Sequence, residues 1–416
     1  MANNQLALQL KLDRVRIMKT RDSYKIIVIG AGTAGLSFTA HLLRNVSLFK
    51  GSIAIIDPSK KHYYQPLWSL VGGGIVSKEC TMRDQDSLVP NGAIWIPKSV
   101  VKLFPSENKI FLDDETILEY EILIVSAGIQ INWSGIKGLK ESIGTNGVCS
   151  NYSYKYVDST WKEIERFKGG NAVFTHPNTP IKCGGAPQKI MYLAEEQFCN
   201  RGVRKNSEVM FYSANSSIFQ VPRYANTLEK VLERKQIITN YNKNLVEIIS
   251  GKKEAIFEDT QTLKRESVSY SMLHVVPPMG PPSFIKESDL SDHQGWVDID
   301  PYTLQHVRYK NIFGLGDCTN LPTSKTGAAI RKQIPVLKQN IMDVLNGKDM
   351  QAKYDGYTSC PIVTGYKSLI LAEFNYEHEP QETFPLNQAK ERYSMFLLKR
   401  YMLPYMYWNY MLKGIL

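Results

Sequence analysis

Tyr24-Lys-Ile-Ile-Val-Ile-Gly30-Ala-Gly32-Thr-Ala34-Gly35 decides the fold. Its first half is a short apolar run rich in β-branched residues, as a strand buried on both faces of a parallel sheet should be. Gly30, Gly32 and Gly35 follow in G-x-G-x-x-G spacing, with Ala34 inside it, and Leu36 to Arg44 reads as a helix. In that strand–turn–helix setting the glycines permit a tight turn, close backbone approach to a pyrophosphate and close helix–sheet packing. The helix N-terminus then stabilises the phosphate charge. Ser52-Ile-Ala-Ile-Ile-Asp57 is a second strand ending in an acid. Asp57 lies 22 residues past Gly35, near the spacing of about 20 at which a carboxylate takes the ribose of a dinucleotide.

Two downstream segments bear on which dinucleotide is bound. Ile122-Leu-Ile-Val-Ser-Ala-Gly128 reads as another buried strand, and Asn311-Ile-Phe-Gly-Leu-Gly316-Asp317-Cys318 as a strand ending in a Gly-Asp corner. Asp317 resembles the acid that flavoproteins with two dinucleotide folds place on the FAD ribitol. Lys325-Thr326-Gly327-Ala328 then opens a helical pattern running to about Asn346. A helix N-terminus there would face the flavin pyrimidine edge, where its partial positive charge favours the anion of a reduced flavin. A nicotinamide site needs a second G-x-G-x-x-G after Asn171-Ala-Val-Phe-Thr-His176. The chain reads Pro177-Asn-Thr-Pro-Ile-Lys-Cys183-Gly-Gly-Ala-Pro187 instead, and Pro180 and Pro187 disfavour that phosphate turn. Around it the alternation continues, with a helix near Gln188–Cys199, a strand over Glu208–Ser213 and a helix near Arg223–Lys235. The expected fold class is α/β: two tandem Rossmann-like domains of the FAD/NAD(P)-binding fold, with a C-terminal amphipathic helical segment.

Cys183 stands where a second cofactor would approach the flavin. Lys182 beside it and Lys189 nearby would lower its pKa and enrich the thiolate, the reactive form; a small buried residue in a tight turn is the plainer alternative. Cys360, in Tyr354-Asp-Gly-Tyr-Thr-Ser-Cys360-Pro361, follows the long helix. It is too far along the chain from Cys183 for a C-x-x-C motif. A cross-domain pair stays open, because sequence alone does not show that two sulfurs meet. Cys149 is read as structural, with a role as a third thiol as the alternative, and Cys80, Cys199 and Cys318 as bystanders. No Cys/His cluster has metal-ligand spacing, so no metal is expected.

Composition narrows the classes further. The chain has 416 residues, 50 Lys+Arg against 40 Asp+Glu, and a formal net charge of +10. With 43% hydrophobic and 22% charged residues it can bury large cores, which excludes disorder, collagen and coiled coil. Six scattered cysteines are no secreted disulfide framework. No run of about 18 apolar residues offers a spanning helix. Met1 to Thr20 carries Lys11, Arg14, Arg16 and Lys19 against Asp13; it reads as a mitochondrial transit segment or as a frayed basic tail. Tyr401-Met-Leu-Pro-Tyr-Met-Tyr-Trp-Asn-Tyr-Met-Leu-Lys-Gly-Ile-Leu416 is crowded with Tyr and Trp. With the charged stretch Lys390–Arg400 before it, it reads as an interfacial helix for an anionic membrane surface, or else as a core-packing or dimer-interface helix. No nucleic-acid module accompanies the positive charge, so nucleic acid is not an expected partner.

Together these motifs resemble the sulfide:quinone oxidoreductase family, in its mitochondrial type, from about Tyr24 to the C-terminus. The most specific stretches are His62-Tyr-Tyr-Gln65-Pro, Asn178-Thr-Pro-Ile-Lys-Cys183-Gly-Gly-Ala-Pro-Gln-Lys189, Gly316-Asp-Cys-Thr-Asn-Leu-Pro-Thr-Ser-Lys-Thr326 and Asp355-Gly-Tyr-Thr-Ser-Cys360-Pro. The resemblance implies a redox pair of Cys183 and Cys360. It implies FAD contacts on Gly35, Asp57, Gln65, Val100, Asp317, Lys325, Thr326, Gly327 and Ala328, beside Gly30, Gly32 and Ala34 of the first turn. In the implied reaction HS⁻ attacks an oxidised Cys183–Cys360 bridge, Cys360 keeps the sulfur as a persulfide and Cys183 leaves as a thiolate. Two electrons then pass through FAD to ubiquinone, near Tyr357–Tyr366 and the C-terminal aromatics, and a small acceptor such as glutathione or sulfite takes the sulfur. The implied location is the inner mitochondrial membrane surface; a homodimer stays open. The implied division is an FAD domain over 21–145 and 290–350, a second Rossmann-like domain over 146–289, a quinone- and membrane-facing segment over 351–416 and a targeting segment over 1–20. The chain departs from the family pattern at Cys149, near where bacterial relatives hold a third cysteine, and at Arg331 and Lys332, where small residues are expected. Two other readings of the same fold are an NADH:quinone oxidoreductase and a non-enzymatic flavin redox sensor.

Overall fold

The computed structural model describes residues 23–416; the stretch 1–20, read as a targeting segment, lies outside the described residues. The main elements run β1 (Ser23–Ile29), α1 (Thr33–Asn45), β2 (Ile53–Ile56), β3 (Ala93–Ile96), β4 (Val100–Phe104), β5 (Lys109–Leu112) and β6 (Ile117–Val125). Next come β7 (Val148–Cys149), β8 (Gly170–His176), α2 (Ala186–Asn200), β9 (Ser207–Ser213), α3 (Pro222–Arg234), β10 (Ile238–Tyr241) and β11 (Met272–His274). The chain ends with β12 (Ile312–Gly314), α4 (Gly327–Leu345), the hairpin β13 (Thr358–Gly365) and β14 (Ser368–Phe374), and α5 (Tyr393–Leu397), which continues through π-helical turns to Met411.

The apolar run that opens the chain's folded part is the central strand of the first sheet. Ile26 of β1 pairs with Ile53 of β2 on one side and with Ile122 of β6 on the other, both parallel. Strand β12, nearly 200 residues later in the sequence, returns to the same sheet and pairs parallel with β6. The parallel order is therefore β3-β2-β1-β6-β12, with β5 paired antiparallel to the first residues of β6 and β4 paired antiparallel to β5. Ile26, Ile27, Val28, Leu123 and Ile124 are fully buried, which is why these strands carry continuous apolar runs and not alternating ones. The second sheet is wholly parallel in the order β7-β11-β8-β9-β10. Both sheets show the doubly wound pattern expected from the alternation of apolar runs and helices.

Two boundaries differ from the sequence reading. Strand β6 begins at Ile117 and stops at Val125. It stops there because the Ser126 hydroxyl donates to the Ile29 and Gly30 carbonyls, which turns the chain toward the first dinucleotide loop. The C-terminal stretch packs one side into the core, as one of the alternatives posed for it expects, and leaves the other side exposed. Met395, Phe396, Tyr407, Met411 and Leu412 join the core around the first sheet, while Tyr393, Tyr401, Met402, Tyr405 and Tyr410 are exposed. Among the described residues no helix is long and apolar enough to cross a membrane.

Candidate active site

The first turn is built for a phosphate-bearing ligand. Gly30 has φ +97°, and a Cβ on Gly35 would sit 1.9 Å from the Gly30 carbonyl oxygen, so both positions need glycine. A Cβ on Gly32 would meet nothing within 4 Å, and no side chain caps the N-terminus of α1. The outer side of the turn is thus open, and the helix end faces it, as a bound pyrophosphate requires. Asp57 closes one flank: its Oδ2 accepts the Ala31 N–H at 2.7 Å and its Oδ1 the Ser59 N–H at 2.8 Å. Burial raises the Asp57 pKa, against the pull of those two donors.

The other sequence-predicted cofactor residues fall into two groups. Gly316 packs so close to Ala34 that a Cβ there would lie 3.2 Å from the alanine methyl, which brings the Asp317 corner up to the first turn. Burial raises the Asp317 pKa, opposed by Lys325 and Lys182. Thr326 caps α4, its hydroxyl accepting the Ala329 N–H at 3.2 Å, and a Cβ on Gly327 would meet open space. Lys325 Nζ donates to the Thr319 carbonyl at 2.9 Å and lies 4.1 Å from the Trp296 ring centroid. Gln65 accepts from Lys182 Nζ at 2.7 Å. Val100 stands apart from these contacts, opening β4 and paired with Leu112. Open glycine turns, a helix N-terminus and two partly buried acids are a donor and acceptor set that fits a flavin dinucleotide.

The two candidate cysteines meet. Cys183 Sγ lies 2.9 Å from Cys360 Sγ. Cys183 has φ +56°, a left-handed conformation that costs a residue with a Cβ. The turn is held in it from both sides: the Cys183 N–H donates to the Lys325 carbonyl at 3.0 Å, and the Cys183 carbonyl accepts the Ala186 N–H at 2.8 Å. The same contact docks the cysteine loop onto the Lys325–Thr326 corner. Cys360 arrives on β13, buried with Ile362, Ile370 and Ala372 in the core of the second sheet. Gly185 gives it room, because a Cβ at that position would sit 2.6 Å from the Cys360 sulfur.

Electrostatics make the pair unequal. The Cys360 thiol donates to Cys183 and holds the Cys183 pKa well below the ordinary thiol value; burial opposes this and the Lys189 ammonium adds to it. Lys189 Nζ is 3.2 Å from Cys183 Sγ. Cys360 keeps its proton, because it is the donor in that bond and because it is buried. Burial works against the charge on Lys189, but the two sulfurs outweigh it and raise its pKa, so the ammonium persists. In the reduced pair these directions favour a thiolate on Cys183, a thiol on Cys360 and an ammonium on Lys189.

Of the two lysines expected beside Cys183, only Lys189 reaches the sulfur. Lys182 turns the other way, to Gln65, and its backbone bridges to Lys325. Burial lowers its pKa to about 8, with Asp317 opposing. A third lysine escaped the sequence reading. Lys399, in the charged stretch Lys390–Arg400, is buried and donates to the Pro66 carbonyl at 2.9 Å. Burial and the nearby Lys189 lower its pKa to about 7, while the two sulfurs pull the other way. Its position at the third residue after the apolar Phe396 carried no signal of burial. Tyr152 was missed as well: its hydroxyl is buried without a hydrogen-bond partner, packed beside Ile181 and Ala186, which bracket Cys183. Cys149 is fully buried and its pKa is raised by that burial, whereas Lys332 extends over the Tyr357 ring at 5.4 Å. Among the described residues no group of His, Cys, Asp or Glu is arranged to hold a metal ion.

A cavity of about 830 Å³ opens at the carboxyl ends of β8 and β9, where an open parallel sheet places its ligand. His176, Asn178, Asn215, Trp296 and Lys325 line it, and so does Gly184, the neighbour of Cys183. The cavity therefore borders the cysteine loop at Gly184.

Residues 24–160 match the model of the pyridine nucleotide-disulphide oxidoreductase family. Over 99% of its length the chain is 44% identical to mitochondrial sulfide:quinone oxidoreductase of Mus musculus, spanning 91% of that protein. It is 47% identical over 95% of its length to the mitochondrial enzyme of the same name from Dictyostelium discoideum, spanning 87% of that protein. Its fold superimposes on the crystal structure of sulfide:quinone oxidoreductase from Aquifex aeolicus with a TM-score of 0.80 at 17% identity, covering 94% of this chain and 92% of that one. With its sulfur pair, its flavin-type turns and full-length relatives at this identity, the chain belongs to the sulfide:quinone oxidoreductase family.

Proposed function

We propose that this sulfide:quinone oxidoreductase works through the Cys183–Cys360 pair, with FAD as its flavin and ubiquinone as its electron acceptor. The observation that carries the reading is the 2.9 Å approach of the two sulfurs beside the Lys189 ammonium at 3.2 Å. In the oxidised enzyme the two sulfurs are joined. HS⁻ attacks the Cys360 sulfur and the S–S bond breaks; Cys360 keeps the new sulfur as a persulfide and Cys183 leaves as a thiolate. A leaving thiolate of low pKa departs faster, and Lys189 supplies the stabilising charge. A small nucleophile, glutathione or sulfite, then removes the outer sulfur from Cys360, and re-forming the bridge releases two electrons and a proton. The cavity beside Gly184 offers both sulfide and acceptor a route to the pair. FAD, held by the Gly30–Gly35 turn, Asp57, Gln65, Val100, Asp317 and the Lys325–Ala328 corner, supplies the two-electron relay to the quinone.

The assignment extends to place. The relatives are mitochondrial, and we place the chain at the inner membrane surface, with Tyr401, Met402, Tyr405 and Tyr410 against lipid. The division into residues 21–145 with 290–350 for the flavin, 146–289 for the sulfur loop and 351–416 for quinone and membrane belongs to the same reading. Anaerobic addition of sulfide, and separately of NADH, with flavin absorbance as readout, tests it. Bleaching by sulfide and not by NADH is expected. Bleaching by NADH alone would make the chain an NADH oxidoreductase on this fold, and bleaching by neither would leave a flavin-binding protein without this activity.

A further inference from the structure

The C-terminal helical stretch is tied to the first dinucleotide turn through a single phenol. The buried Tyr407 hydroxyl lies 2.6 Å from His62 Nε2 and 2.8 Å from Thr33 Oγ1. His62 Nδ1 is 3.2 Å from the Ala31 carbonyl, which also accepts from Gln85 Nε2 at 3.0 Å. Burial lowers the His62 pKa to about 4, so the ring is neutral and has one N–H to give. A carbonyl only accepts, which assigns that proton to Nδ1. Nε2 then accepts from Tyr407, and the Tyr407 oxygen accepts from Thr33. One directed chain runs Thr33 to Tyr407 to His62 to Ala31.

Its two ends, Ala31 and Thr33, flank Gly32 on the open side of the turn. The Ala31 N–H is the same group that Asp57 holds. The Tyr407 ring is itself fixed by Tyr64, 4.4 Å away between centroids, and its neighbour Trp408 lies under Arg83 at 4.8 Å. Farther along, the chain folds onto α1, where a Cβ on Gly414 would strike the His41 backbone at 2.2 Å. The opposite face of this stretch is the exposed set of Tyr401, Met402, Tyr405 and Tyr410. One short element thus holds the cofactor turn with one face and presents an aromatic surface with the other.

We propose that Tyr407 is a positioning residue for the flavin turn, and that seating the C-terminal stretch on lipid and retaining FAD favour each other. The proposal rests on the FAD and membrane assignments made above. With Tyr407 withdrawn, Thr33 loses its partner and His62 loses the bond that orients its ring toward the Ala31 carbonyl, which leaves Asp57 and Gln85 as the contacts on Ala31 that do not depend on that ring. Anything that fixes the helix then fixes the turn, and by thermodynamic linkage the effect is reciprocal.

The test follows FAD release from the full holoenzyme, read as the rise in free-flavin fluorescence, with and without phosphatidylcholine–phosphatidylglycerol vesicles. Tyr407→Phe keeps the ring packing and deletes only the hydroxyl. It is expected to release FAD about tenfold faster, the ratio given by about 1.4 kcal/mol. Vesicles should slow release from the parent chain and do so much less in Tyr407→Phe. Tyr376→Phe, which deletes a hydroxyl bonded to the Pro301 carbonyl at 2.9 Å, controls for a general loss of stability and should leave release unchanged. Equal release from the parent and Tyr407→Phe, equal acceleration by Tyr376→Phe, or indifference of the parent to vesicles would overturn the proposal. A purified chain that holds no FAD would instead contradict the cofactor assignment on which it rests.

Discussion

Cys183 and Cys360, 177 positions apart in the chain, come within 2.9 Å of each other at their sulfurs. Nothing local to either residue brings this about. The Cys183 turn is pinned to the Lys325 carbonyl in front of α4, and Cys360 sits on a hairpin strand whose apolar residues enter the second core. The sulfur pair is a product of tertiary packing, so its geometry depends on residues outside the two cysteines.

Gly185 is the most sensitive of these. A methyl group there would lie 2.6 Å from the Cys360 sulfur and 3.1 Å from Ile362, so β13 must shift or Cys360 must change rotamer. Gly185→Ala is predicted to lower the rate of flavin reduction by sulfide at least tenfold while bound flavin and the rate of dithionite reduction stay the same. Stopped-flow absorbance measures both. An unchanged rate with sulfide would mean that the observed approach of the sulfurs is not the reactive one.

Lys189 supports the thiolate. Replacing it with Gln removes the ammonium 3.2 Å from Cys183 and should raise the thiol pKa. A rise of about one unit corresponds to roughly 1.4 kcal/mol. Alkylation of the reduced enzyme by iodoacetamide, followed against pH, should therefore show its profile displaced to higher pH by about one unit in Lys189→Gln, so that the variant is slower by up to roughly tenfold on the acid limb. Coincident profiles would assign the reactivity of Cys183 to Cys360 alone.

Buried lysines set an alkaline trend in stability. The pKa of Lys399 is lowered to about 7 and that of Lys182 to about 8, both chiefly by burial, while an unfolded lysine titrates near 10.4. Between these limits the unfolded chain binds more protons than the folded one, so these two groups make stability rise with pH from about 7 to about 10. Lys399→Met removes the larger share of that slope. It leaves the Pro66 carbonyl without its donor, worth about 1 kcal/mol, yet relieves a burial cost on the order of 4 kcal/mol at neutral pH. Its thermal midpoint at pH 7 should exceed that of the parent by about 2 °C or more. A lower midpoint would show that Lys399 is held charged by the sulfurs and contributes to stability as an ammonium.

The parts of this molecule that were legible from the residues are those in which local pattern and tertiary role agree. Tyr24 to Gly35 could be read because a buried strand, a glycine turn and a helix follow one another within a single short segment. Cys183 stood out for a different reason, since it replaces an expected phosphate turn. The rest depends on contacts that leave no periodic trace. Lys399 is charged and sits among exposed aromatics, so only the path of the π-helical stretch reveals that its ammonium turns inward to Pro66. Lys182 and Lys189 look equivalent beside Cys183, but the φ of +56° at Cys183 turns the chain between them, which leaves Lys182 with Gln65 and Lys189 with the sulfur. His62 was quoted as part of a motif without a role, because its partner Tyr407 is 345 residues away.

Entry of sulfide electrons through the Cys183–Cys360 pair is tested most directly by anaerobic sulfide titration of Cys183→Ser and Cys360→Ser, each purified with its flavin and monitored by flavin absorbance. Both variants are expected to keep bound FAD, to be bleached by dithionite and not to be bleached by sulfide. Sulfide-dependent bleaching at the parent rate in either variant would contradict that route of entry.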